Sequence, residues 1–188
     1  MRGIGRFLST VFVLLTAIAL TATPVGAGDW SRFRGPNGSG VTEAAGLPVE
    51  FGPESNVAWQ AKVPFGRSSP AVGDRQIFLT GIDDGKLLVV ALDRNEGSES
   101  WRRTLKPGHT AELHKATDSS TPSPVTDGSN VYAFFHEAGL VSYDAAGKER
   151  WRRPLGPFRN FYGIAASPVP HRDPWRESSV RDARRVLS

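Results

Sequence analysis

The densest gathering of reactive side chains lies in His109-Thr-Ala-Glu112-Leu-His114-Lys115-Ala-Thr-Asp118, where two imidazoles and two carboxylates fall within ten residues. Such groups suit Zn²⁺ and other divalent cations. Their spacing matches no established ligand motif such as H-E-x-x-H, and these residues are ordinary in a solvated loop, so no metal ligand is assigned. His109, Glu112, His114 and Asp118 are instead expected to form a partner loop, for a reason that comes from their place in the chain.

Other chemistry has little support. The pairs Ser68-Ser69 and Ser119-Ser120 precede prolines, and no Ser-His-Asp grouping can be argued from them. His136 follows Phe134-Phe135 and reads as a turn residue. No G-x-x-x-x-G-K, G-x-G-x-x-G or G-x-S-x-G pattern occurs, so nucleotide-binding and hydrolase readings are unsupported, and no catalytic residue is expected. The formal charge of +4 resides at the two ends, because residues 28–170 carry sixteen basic and sixteen acidic side chains. That balance argues against a nucleic-acid partner.

The elements that would position these residues read as short strands between turns. Candidate strands are Val57–Val63, Gln76–Ile82, Leu87–Leu92, Ser100–Leu105, Asn130–Phe135, Leu140–Tyr143 and Glu149–Leu155, rich in Val, Ile, Phe, Tyr and Trp. No stretch among them sustains a 3.6-residue apolar period, so helix is not expected. The text also repeats. Trp59, Trp101 and Trp151 stand 42 and 50 residues apart, and each is followed by a Ser-Pro step, at Ser69, Ser123 and Ser167. Before the second and third tryptophans come Ala91-x-Asp93-x-x-x-Gly97-x-x-x-Trp101 and Asp144-x-x-Gly147-x-x-x-Trp151.

Self-similarity at this period signals an array of supersecondary units, and four short strands per unit describe a β-propeller blade. Gly97 and Gly147 would supply positive φ in a tight turn, while Asp93 and Asp144 would accept backbone N–H bonds within it. Trp59, Trp101 and Trp151 would fill the gap between neighbouring blades, with Ala91 beside Trp101. The Trp-Arg-Arg runs at 101–103 and 151–153 are expected to place solvated arginines on a strand, with cation–π contact to neighbouring aromatics as the other reading. The step from Trp101 to Ser123 spans 22 residues, against 10 and 16 in the other two repeats, so Lys106–Ser120 is an insertion. Insertions on repeat folds map to binding faces, which is why the partner loop is placed there.

The Ala91–Trp101 pattern resembles the tryptophan-docking motif of the quinoprotein-type, pyrroloquinoline quinone (PQQ)-like β-propellers. The lead-in Asp29-Trp-Ser-Arg-Phe-Arg-Gly-Pro-Asn-Gly-Ser-Gly40 is similar to the start of exported bacterial members, and Thr121-Pro-Ser-Pro-Val-Thr-Asp-Gly-Ser-Asn-Val-Tyr132 also fits. The resemblance implies an all-β propeller. For the dehydrogenase members it also implies PQQ and calcium, but no residue here matches their carboxylate, Asn and vicinal-Cys set, so neither cofactor is assigned. The assembly-factor members carry a lipidated N-terminal Cys, and this sequence has no Cys.

The ends complete the reading. Arg2 and Arg6, an apolar run from Phe7 to Leu20 and small residues to Ala27 read as a signal peptide cut near Ala27, giving a periplasmic or secreted protein with no stable membrane span after cleavage. The expected organisation is therefore a signal peptide at 1–27, an irregular lead-in at 28–56, partial propeller repeats at 57–169 and an aberrant tail at 170–188. In the lead-in, Trp30 and Phe33 are expected to plug an apolar end of the fold, with a binding loop as the other reading. About two to three blades fall short of the four to eight that close a ring. The loss of alternation after Pro170 suggests a frameshifted gene, with a genuine short basic tail as the other reading. The functional expectation is a non-catalytic scaffold for cell-envelope proteins; the alternatives are a fragment of a PQQ-dependent oxidoreductase and a non-functional product.

Overall fold

In the Asp83-Asp84-Gly85-Lys86 turn, Asp84 and Gly85 have φ of 47° and 69°. Positive φ at both central residues is the two-residue hairpin geometry that matches strand twist, and it fixes the register Asp83 to Lys86. A computed structural model describes residues 30–35 and 38–169. The expected signal peptide at 1–27 and aberrant tail at 170–188 lie outside the described residues.

Eight strands form two sheets. The first sheet contains β1 (Ala71–Val72), β2 (Gln76–Asp83), β3 (Lys86–Asp93) and β4 (Glu99–Leu105); the second contains β5 (Val125–Thr126), β6 (Asn130–Phe135), β7 (Gly139–Asp144) and β8 (Glu149–Arg153). Each sheet runs in chain order with every neighbour antiparallel. Both are blades of one pattern, and even a register shift recurs at the same place, at Ala91/Leu92 and at Ser142/Tyr143. No helix occurs among the described residues.

Strand alternation sends side chains to two faces. Leu87, Val89 and Ala91 join Trp101, Leu105, Val131, Ala133, Phe135, Val141 and Tyr143 in a core between the blades. Leu88, Val90 and Leu92 point away and are covered by Trp59, Ala61 and Leu79. β3 is therefore buried on both faces, which explains its unbroken apolar run Leu-Leu-Val-Val-Ala-Leu. The second blade repeats this: Tyr132 and Phe134 face outward, 5.9 Å from Trp151 and 6.0 Å from Phe158 respectively.

The inner edges are closed by the lead-in. Trp30 O accepts a hydrogen bond from Val72 N at 2.8 Å, and Ser31 O accepts one from Thr126 N at 2.9 Å, so one segment spans β1 and β5. Trp30 packs on Gly35 and is half-buried, whereas Phe33 is 50% exposed and does not plug the fold. A second expectation also fails. Val57–Val63 forms no strand, because among the described residues no strand pairs with it, and an extended chain without a ladder partner leaves its backbone groups to water. β8 stops at Arg153, one residue before Pro154, which has no N–H to offer a ladder.

Between blades, the Ser-Pro steps form a ladder of their own. Ser69 N donates to Ser123 Oγ at 2.9 Å, and Ser123 N donates to Ser167 Oγ at 3.0 Å. Each hydroxyl thus receives the N–H of the equivalent serine one repeat earlier. Thr80 Oγ1 adds a buried link from β2 to the carbonyls of Ser120 and Pro122, at 3.0 and 3.2 Å. Ser123→Ala should lower stability by about 1–3 kcal/mol in urea denaturation, because it orphans a half-buried N–H.

Candidate functional site

The residues that recur from repeat to repeat meet at the blade junction. Asp93 Oδ1 accepts the N–H groups of Asn95 and Glu96 at 2.8 and 3.0 Å, and Gly97 N donates to Asp93 O at 2.9 Å. In the second blade, Asp144 Oδ1 accepts Ala146 N and Lys148 N at 3.0 and 2.9 Å, and Gly147 N donates to Asp144 O at 2.9 Å. Each carboxylate holds its turn so that the following glycine sits at positive φ, 71° for Gly97 and 74° for Gly147.

A tryptophan from the preceding repeat lies on each glycine. The Trp59 ring covers Gly97, where an added Cβ would overlap it, and the Trp59 Nε1–H donates to Arg94 O at 3.0 Å. Trp101 covers Gly147 in the same way, with an added Cβ only 2.6 Å from Cδ2, and its Nε1–H donates to Ala145 O at 2.9 Å. Ala91 lies opposite Trp101 in the register, and Phe78 and Tyr143 contact its ring at 6.0 and 5.7 Å. Trp151 packs against Tyr132 on the far face of the second blade.

Arg103 was expected in solvent. Its guanidinium instead lies 5.6 Å from the Trp101 ring centroid and donates to the carbonyls of Gly147 and Ala146, so it clamps the indole and the next turn together. Arg102 points outward to Glu99 at 2.7 Å, and Arg152 to Glu149 at 2.7 Å, pairs too exposed to matter much for stability.

The partner-loop residues do not converge on one point. The insertion leaves β4 at the end of the blades that carries the β2–β3 and β6–β7 turns. His109 lies 6.2 Å from His136, and His114 rests on Phe161 and Tyr162 at 5.4 and 4.9 Å. Asp118 pairs with Arg67 at 3.2 Å and accepts Ser120 N and Oγ at 2.8 and 2.6 Å, while Glu112 is exposed. Among the described residues, no three His, Cys, Asp or Glu side chains gather to hold a metal ion. His136 is a turn residue as read, but it is buried at 1% exposure, which its position after Phe134-Phe135 does not reveal.

At the opposite end, a groove of about 570 Å³ runs between the blades, lined by Asp74, Arg75, Gln76, Asp93, Thr126 and Ser129. Close to it, Asp127 accepts Tyr132 Oη at 2.6 Å and the N–H groups of Ser129 and Asn130 at 2.9 and 2.7 Å. Burial pushes the Asp127 carboxyl up, but the bonds from Tyr132, Asn130 and the backbone outweigh it and hold the carboxyl below its ordinary value. Burial and the same bond push the Tyr132 hydroxyl up.

Comparison with known proteins gives one family. A model described as outer membrane protein assembly factor BamB matches residues 53–168. No curated protein matches the chain. Matches among solved structures include the crystal structure of BamB from Moraxella catarrhalis, 19% identical, with 60% of this chain aligned and a TM-score of 0.36. The chain covers 31% of that protein's length. Among the described residues, no helix is long and apolar enough to cross a membrane.

Two outcomes follow from this geometry. Trp101→Ala should cost about 3–5 kcal/mol in denaturant unfolding, as expected for a buried indole, and Trp101→Phe should cost less while still losing the bond to Ala145. Asp127, with its lowered folded value, stabilises the fold above the ordinary carboxyl range and loses that contribution as pH falls through the folded value. Melting temperature followed into acid should therefore drop less steeply in Asp127→Asn than in the parent.

Proposed function

The chain belongs to the outer membrane protein assembly factor BamB family of PQQ-like β-propellers, and on that premise we propose that it is a non-catalytic binding scaffold of the cell envelope. In this reading the repeats at 57–169 follow a lead-in at 28–56 and an export segment at 1–27, and the protein works in the periplasm or beyond it. Its partner is an envelope protein, engaged through the insertion at Lys106–Ser120.

The observation that carries the reading is a division of labour. The recurring polar groups Asp93 and Asp144, the indole N–H groups of Trp59 and Trp101 and the hydroxyls of Ser123 and Ser167 are engaged in turns and in fastening blades. The insertion departs from the repeat and presents Glu112 and Lys115 to solvent. Beside it stand Phe161 and Tyr162, 59% and 62% exposed, in contact with His114. Exposed aromatics next to mixed charges are the composition of a protein-binding patch.

A photo-crosslinker placed at Glu112 in the intact protein, in its native envelope, tests this. An envelope protein should be captured there and not from Asn95, in a turn at the other end of the blades. Equal capture at both positions, or none at Glu112, would contradict the scaffold reading. Uptake of PQQ with Ca²⁺, seen as quinone absorbance, would favour an oxidoreductase instead.

A further inference from the structure

His136 occupies the β6–β7 turn at 1% exposure, and neither ring nitrogen has a hydrogen-bond partner. A neutral imidazole must bury at least one N–H there, and a protonated one would bury two together with a charge, which is far less favourable. Two segments without strand structure cover it. From the insertion, Gly108 N donates to Glu137 O at 2.7 Å and sets the His109 ring 6.2 Å from His136, with His109 Nε2 also buried and unpartnered. From the segment at 156–163, Phe158 contacts the ring at 5.6 Å, and Gly163 leaves room beside Nδ1, where an added Cβ would lie 3.9 Å away. The covers are joined to each other, because His114 N donates to Phe161 O at 2.8 Å.

We propose that His136 forms an acid-sensitive latch: the insertion and the 156–163 segment close over the blade end while its imidazole is neutral, and its protonation releases them. This goes beyond the scaffold reading and does not depend on it, since closure is a property of the chain alone. The groups that act on His136 are known from each side. Glu137, on its own turn, favours protonation; His109, from the insertion, opposes it; the 156–163 segment contributes Phe158 and Gly163, which are apolar.

Burial is the largest effect and, with His109 adding to it, outweighs Glu137, holding His136 below its ordinary value. A basic group lowered in the closed state binds its proton more tightly in the open state. Closure is thus fully favoured above the ordinary imidazole range and is lost as pH falls toward the lowered value.

Amide hydrogen exchange and histidine NMR on the full chain, between about pH 7.5 and about pH 5, test the latch. Corrected for intrinsic exchange, Gly108 and His114 should lose protection in acid while Val89 in β3 keeps it, and His136→Phe should abolish the selective loss. Equal protection across the range, or the same loss in His136→Phe, would overturn the proposal. If that variant does not fold, the parent decides alone: His136 titrating below an unfolded-chain histidine, in step with the loss at Gly108, supports the latch, and titration at or above it refutes it. Protection of Gly108 that appears at neutral pH only after Zn²⁺ is added, with no acid response, would also refute it.

Discussion

An indole lying flat on a glycine is the contact on which the rest of this structure depends. Neither blade can bury both its faces alone, so the fold exists only insofar as neighbours are held at a fixed spacing. Trp101 sets that spacing. Its ring needs a surface with no side chain, which Gly147 offers only at positive φ, and Gly147 adopts that φ because Asp144 has already organised the turn. The same three-part arrangement joins Trp59 to Gly97 and Asp93. Apolar area supplies the free energy, while the indole N–H and the Asp turn supply the geometry.

Dependence on that contact organises the remaining polar groups. Arg103 bridges the indole and the next turn, and the serine ladder ties successive repeats at a second point. Two fastenings, one through an aromatic and one through hydroxyls, hold a blade against rotation as well as separation. These groups are consumed in this way, and the insertion and the segment at 156–163 stand outside the repeat.

How much of this was legible beforehand follows from the range of each interaction. Alternation and Gly-Asp turns act over a few residues, so the all-β architecture and the limits of β2, β3, β4, β6 and β7 could be read to within a residue or two. The serine ladder could not, because a Ser-Pro step does not say that its hydroxyl will meet an N–H from a repeat some fifty residues away. Arg103 was hidden for a related reason: an arginine on an outer strand reads as solvated until the neighbouring turn is placed beside it. Val57–Val63 has strand composition but no partner, and pairing is a property of two segments. In the insertion, His109, His114 and Asp118 turn to different neighbours and Glu112 faces solvent, which proximity along the chain cannot disclose.

The central claim is that Trp101 and Gly147 act as one unit across the blade junction, and a double-mutant cycle measures that directly. Gly147→Ala should be strongly destabilising in the parent, where its Cβ meets the indole, and much less so in Trp101→Ala, where the positive-φ strain and a contact with the flexible Arg103 guanidinium remain. A coupling of about 1–3 kcal/mol is the expected result. Additive effects of the two substitutions would contradict the account, since they would mean that the blades are held together by something other than this contact.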